Sequence, residues 1–202
     1  MLFRSGVSPF TFFLKREFRE VAGLDLTDAF GPRCAAAGIR LYQGGVNDAA
    51  SLEGIEKVDC VFFLEVLEHL HSNPVEVLRN AGSLLKPGGL LIVTTPNMAC
   101  FANRILMLGN RKLRLMDYPP FAIEDSAHGF AHDRIYMPQE LYEYGVASGL
   151  EQVEVAYQLN RDDIAQEGRS SAARMLALIP RLAKRCVPSF RDGVVLLARK
   201  GA

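Results

Sequence analysis

Apolar residues along this chain fall into short runs that alternate with stretches of helical period, most clearly over residues 58–97. Val58–Leu64 (VDCVFFL) is a compact run of Val and Phe, the pattern of a strand buried on both faces. Glu65, Glu68 and His69 then crowd titratable groups just beyond it. Asn73-Pro74 opens a helix, with proline suited to the first turn. Val77, Leu78, Ala81, Leu84 and Leu85 recur at helical spacing and give that helix one apolar face. Lys86-Pro87-Gly88-Gly89 is expected to stop the helix and turn the chain, ahead of a second buried strand over residues 90–95 that ends at Pro96-Asn97. A strand, helix and strand of this length predict a right-handed crossover in a parallel sheet.

The same reading extends to both sides. Residues 8–18 read as a helix, and residues 20–26 as a strand closed by the acidic Asp25. Thr27-Asp28 would cap a short helix over residues 29–37 that Gly38 ends, and a third strand covers residues 39–43. A glycine turn, Gly44-Gly45-Val46-Asn47-Asp48, follows. Further on come a helix over residues 98–108, a helix over 138–148, a strand over 151–159 and a closing strand at Gly193–Arg199. Residues 109–137 contain an irregular stretch long enough to be a substrate lid. Residues 160–190 form a C-terminal helical insertion, polar at first and then amphipathic, with Arg181, Lys184 and Arg185 beside Ile179 and Leu182. Such a helix could rest on a membrane, but Pro180 in its middle and its narrow apolar stripe fit a helix covering a sheet edge. The alternation predicts one α/β domain over residues 1–202, a three-layer Rossmann-like sheet.

Composition narrows the classes. The 202 residues suffice for one sizeable core, and 49% hydrophobic with 23% charged residues excludes a disordered chain. Lys+Arg and Asp+Glu number 23 each, so no net field favours nucleic acid, and a small-molecule substrate is expected instead. Cys34, Cys60, Cys100 and Cys186 lie far apart without a CxxC pair and read as reduced residues rather than disulfides or zinc ligands. No apolar run reaches the ~18 residues of a membrane span, and the N-terminus lacks a secretory signal. A cytoplasmic protein is the expectation, with a homodimer as one form it could take.

The order V-D-x-V, then EVLEHL, then L-x-P-G-G-x-L-x-x-x-x-P-N resembles class I S-adenosylmethionine-dependent methyltransferases. The likeness is to the small-molecule branch that includes the O-methyltransferases of ubiquinone synthesis, and it covers roughly residues 6–160. It implies a seven-stranded sheet in the order 3-2-1-4-5-7-6 with only the seventh strand antiparallel, and S-adenosylmethionine as cofactor. Asp25, with Leu26 beside it, would hold the ribose hydroxyls. Gly45, Val46 and Asn47 would meet the adenine, where Gly45 replaces the usual acid and Asn47 or Asp48 could substitute. Leu64 and Glu65 end the fourth strand at the same rim. The glycine loop of the family falls on residues 4–8, where Gly6 survives but Arg4 stands at the first glycine and Leu2 at the upstream acid. The first strand is therefore expected to be missing or incomplete. Either the recorded chain starts inside that strand, or the loop is degenerate and cofactor binding is impaired.

Two roles for the acidic stretch follow from the resemblance. In metal-dependent relatives an E-x-x-E-H stretch joins a later histidine around a divalent cation, which here would be Glu65, Glu68, His69 and His132. In metal-free relatives the two glutamates form structural hydrogen bonds and His69 packs under the cofactor; without a metal, His69 or His132 would be the general base here. The expected reaction is methyl transfer to a hydroxyl of a small or glycan-like metabolite. The rival from another class is an inactive methyltransferase-like domain serving as a partner subunit. A nicotinamide-dependent dehydrogenase would need G-x-G-x-x-G, which Gly6-Val7-Ser8-Pro9 cannot supply.

Overall fold

The structure, a computed structural model, describes residues 2–3, 9–111, 113, 134–159 and 171–202, with backbone alone at 2, 3, 9, 12 and 171–178. Seven strands form one sheet: β1 (Leu2–Phe3), β2 (Ala22–Asp25), β3 (Arg40–Gln43), β4 (Val58–Leu64), β5 (Leu85–Pro96), β6 (Glu151–Gln158) and β7 (Gly193–Arg199). Their order is β3-β2-β1-β4-β5-β7-β6. Strands β1 to β5 pair in parallel, and β7 runs antiparallel to both β5 and β6. The order and the single reversed strand are those the resemblance implied. The helices are α1 (Pro9–Glu17), α2 (Gly31–Ala36), α3 (Pro74–Ser83), α4 (Phe101–Leu108), α5 (Pro138–Ala147) and α6 (Ser171–Cys186).

The first strand is present but short. Leu2 pairs with Gly23 of β2 and with Phe62 of β4, and Phe3 with Leu24, so two residues occupy the place between β2 and β4. Of the two forms expected, missing or incomplete, the strand takes the incomplete one. Gly6 and the rest of residues 4–8 lie outside the described residues, as do residues 114–133, which include His132.

The sheet is covered unequally. On one face Val61, Phe63, Leu91, Val93, Leu196 and the predicted stripe of α3 form a single core; Val77, Leu78, Ala81, Leu84 and Leu85 are all buried. On the other face a smaller cluster of Leu14, Val21, Cys34 and Ile39 leaves Phe62 and Leu64 half-buried. Strand β4 is thus fully buried on one side only, which corrects the two-sided reading. Phe62 is met edge-on by Phe10 and Phe18, which are themselves exposed, so this second layer is one aromatic thick.

Two local expectations fail for identifiable reasons. Helix α2 begins after Phe30 with no side-chain cap, because Thr27 and Asp28 are spent earlier. Thr27 Oγ1 accepts from the Ala29 amide at 3.1 Å, and the Asp28 carbonyl accepts from the Gly31 amide at 2.6 Å. Pro32 presets the first helical turn in their stead. Lys86-Pro87-Gly88-Gly89 does not separate helix from strand: it is a bulge inside β5, between the pairs Val58↔Leu85 and Cys60↔Leu90. Gly88 has φ +73°, and a Cβ on Gly89 would stand 2.9 Å from the Lys86 carbonyl oxygen. Glycine is required there because strand β4 and the C-terminal residues crowd the bulge; the Lys200 amide donates to the Gly89 carbonyl at 2.9 Å.

Candidate functional site

In a sheet of this kind ligands bind beyond the carboxyl ends of the strands, where the order reverses. Asp25 stands at that end of β2, only 7% exposed, its Oδ1 accepting from the Thr27 amide at 3.2 Å. Its carbonyl accepts from the Gly44 amide at 2.8 Å, which locks the tip of β2 to the tip of β3. The glycine turn is shaped by close approach. A Cβ on Gly44 would lie 2.7 Å from Ser51 Cβ, and one on Gly45 would lie 2.5 Å from Asn47 Oδ1 and 3.2 Å from Leu26 Cδ2. From α3, Asn80 Nδ2 donates to the Val46 carbonyl at 2.9 Å and fixes the far side of the turn. Asp48 is committed elsewhere, capping the turn Ala49–Leu52 by accepting from the Ala50 amide. Asn47 is left as the polar residue of the turn at the cleft.

These residues enclose a cleft of about 250 Å³ lined by Leu24, Asp25, Leu26, Gly44, Gly45, Val46, Asn47, Val66, His69 and Leu70. Five of the predicted cofactor residues (Asp25, Leu26, Gly45, Val46 and Asn47) line it together, and His69 joins them. Leu64 and Glu65 do not line it, and Gly6 lies outside the described residues. Sequence reasoning missed Leu24, Val66 and Leu70, apolar neighbours of the polar residues it selected. Leu26 is 71% exposed although it is a leucine, so the rim presents a bare apolar wall beside a carboxylate. A larger hollow of about 400 Å³ lies at the opposite ends of the strands, among Ala22, Val58, Asp59, Cys60 and Lys86, where the short β1 leaves β2 and β4 apart. It is remote from the predicted residues.

The acidic stretch divides. Glu65 has φ +52°, a left-handed backbone that costs a non-glycine residue about 1–3 kcal/mol. Its amide donates to the Thr94 carbonyl at 3.0 Å, so the chain leaves the sheet abruptly with the Glu65 side chain exposed. Glu68 turns the other way and is fully buried, its Oε2 accepting from Thr95 Oγ1 at 3.1 Å. Its Oε1 stands 3.7 Å from His69 Nε2. Among the described residues, no three acidic, histidine or cysteine side chains gather as a metal site; His132, the fourth residue of the implied cation set, lies outside them. The Glu68 carbonyl also accepts from the Arg134 amide at 3.1 Å. Arg134 in turn bonds Glu140 at 2.6 Å and the Tyr144 hydroxyl at 3.0 Å, which ties residue 134 to α5. Burial pulls the Arg134 guanidinium pKa down, but the carboxylate of Glu140 outweighs it and raises the value overall.

Past β5 the rim is built differently. Asn97 is fully buried, and its Nδ2 donates to the Ser189 and Arg191 carbonyls at 3.1 and 2.7 Å. Its Oδ1 accepts from the Ala99 amide at 2.9 Å, and its own amide donates to the Asp192 carbonyl at 2.7 Å. One side chain thereby holds the start of α4 against the turn Pro188–Phe190 that follows α6.

The family model described as a methyltransferase domain matches residues 9–155. Among curated proteins, the chain is 27% identical over 115 residues to a ubiquinone biosynthesis O-methyltransferase of Colwellia psychrerythraea, covering 57% of this chain and 43% of that one. It is 35% identical over 68 residues to the protein of that description from Caulobacter vibrioides, covering 34% of this chain and 27% of that one. The chain therefore spans less than half the length of these relatives. Among solved structures, a SAM-dependent methyltransferase from Archaeoglobus fulgidus superposes with a TM-score of 0.62 at 16% identity, over 98% of this chain and 84% of that one. That likeness shows the shared fold, and the family match fixes the affiliation: the chain belongs to the methyltransferase domain family, with the class I, S-adenosylmethionine-dependent architecture.

Proposed function

We propose that this protein binds S-adenosylmethionine in the cleft at the tips of β2, β3 and β4 and methylates a hydroxyl of a small metabolite. The observation that carries the reading is Asp25, a nearly buried carboxylate at the tip of β2 facing the same cleft as Gly44, Gly45 and Asn47. A carboxylate there suits two ribose hydroxyls, since charge-assisted hydrogen bonds contribute ~1.5–3 kcal/mol each. The exposed Leu26 and the buried Val46 and Val66 offer apolar walls for a purine. When bound, the cofactor would supply an electrophilic methyl on a positively charged sulfur.

The chain's own part is alignment and proton removal. His69 lines the cleft with its imidazole 14% exposed, able to take the proton of the acceptor hydroxyl as the oxygen bonds the methyl. Glu68, held by Thr95, stands behind the imidazole and would stabilise it once it is charged. This reading casts the glutamates in a structural role, with the base in place of the cation. The names of the curated relatives support oxygen as the acceptor atom.

Titration calorimetry with S-adenosylhomocysteine is expected to give a one-to-one complex; no heat up to ~1 mM, which corresponds to about −4 kcal/mol, would overturn the reading. With radiolabelled donor and a panel of phenols and catechols, His69→Ala should lower turnover about 100-fold or more. Excess EDTA should leave turnover within about twofold, and its loss in EDTA would restore the cation role for Glu65, Glu68, His69 and His132.

A further inference from the structure

Helix α6 carries a cation whose charge nothing in the described structure offsets. The Nε and Nη2 nitrogens of Arg181 are buried and have no hydrogen-bond partner among the described residues. A guanidinium stays protonated under all ordinary conditions. Leaving it buried and unpaired is therefore unfavourable in a way a lysine could escape by losing its proton. Three other cations of this region are engaged. Lys184, one helical turn on, holds Asp192 at 2.6 Å. Arg191 donates to the Lys184 and Tyr157 carbonyls at 3.3 and 3.1 Å. Arg104 donates to the Ala99 carbonyl at 2.6 Å and covers the Phe190 ring at 5.0 Å. Asp192, the carboxylate paired in this group, is committed to Lys184.

We propose that Arg181 is the receptor for an oxyanion, a carboxylate or phosphate carried by the acceptor substrate. The two unpartnered nitrogens are the two on one edge of the guanidinium. Their N–H bonds run parallel, and that edge takes up two oxygens of a carboxylate or phosphate at once. The position suits a substrate rather than a stray ion. Lys184 and Arg181 share one face of α6 at i, i+3 spacing. Asp192 ties that face to Asn97 at the carboxyl end of β5. Lys184 is thereby tied to the rim beyond β5, and Arg181 stands one helical turn before it on the same helix. The proposal rests on the methyltransferase reading only for calling the ligand an acceptor.

The test is the thermal unfolding of the full chain titrated with inorganic phosphate and, separately, with benzoate, for wild type, Arg181→Met and Arg181→Lys. Wild type should be stabilised by at least one of the two anions, saturably, by a few degrees at about ten times the dissociation constant. Arg181→Met should show only the small, non-saturating rise that phosphate gives any protein by exclusion. Arg181→Lys should bind about tenfold or more weaker, having the charge without the paired edge. Without anion, Arg181→Met should melt no lower than wild type, because it removes an uncompensated charge. A clearly lower melting temperature would reveal a partner within the chain and overturn the proposal, as would identical anion responses in wild type and Arg181→Met. Response to phosphate alone would identify a phosphate ester, and response to benzoate alone a carboxylate. Titrating S-adenosylhomocysteine into the same proteins separates the two readings: binding of it without any anion response sinks only this inference, and an anion response without it sinks only the methyltransferase reading.

Discussion

The two halves of the strand rim are built on opposite plans. On the β2–β3–β4 side the site is made by neighbours in sequence: Asp25 and Leu26 end one strand, Gly44 to Asn47 end the next, and short backbone bonds lock the tips together. On the β5–β7 side, residues far apart in the chain meet at one buried side chain, with Asn97 holding carbonyls more than ninety positions away. The first plan places a few polar groups on rigid strand ends, which suits an invariant ligand such as a cofactor. The second rests its rim on one amide, so that the segments covering it can diverge while the tips of β2 and β3 stay fixed.

The contrast makes quantitative claims. The largest effect is expected from Asn97→Ala, which strands two buried carbonyls and an amide and should cost about 3 kcal/mol. Urea unfolding would measure the loss. Turnover should collapse while S-adenosylhomocysteine affinity stays within about threefold; equal losses of both would mean the halves are one unit. Next comes Asp25→Ala, expected to weaken S-adenosylhomocysteine about 10- to 100-fold with little change in the urea midpoint. Unchanged affinity by calorimetry would remove Asp25 from the site. Gly45→Ala should be milder, about 3- to 10-fold in affinity, because its Cβ meets the flexible ends of Asn47 and Leu26 rather than backbone. The strained residue is expected to affect stability rather than affinity. Glu65→Val should lower stability by ~1–2 kcal/mol while Glu65→Gly should not, since only the branched side chain conflicts with φ +52°. A matching loss in both would place the penalty in the Glu65 side chain instead.

Sequence pattern alone fixed the central unit well, because its signals are local. The apolar run at Val58–Leu64, the helix opening at Asn73-Pro74 and the stripe of α3 as far as Ala81 stand where periodicity placed them, while Leu84 ends the helix and Leu85 already begins β5. Asp25 and the glycine turn were singled out by the resemblance, which sets a carboxylate and a turn at those two strand ends. What periodicity could not see was long-range. That Lys86 to Gly89 lie within β5 as a bulge is decided by pairing with β4 and by the chain's own C-terminal residues. That Glu68 turns inward to Thr95 while Glu65 turns outward depends on a left-handed backbone at Glu65, which no propensity foretells for glutamate. Arg181 reads in sequence as one more basic residue on an amphipathic helix. Its Nε and Nη2 are buried only in the folded chain, where α6 packs against α4 and the turn after it, because desolvation belongs to the assembled layers and not to any one segment.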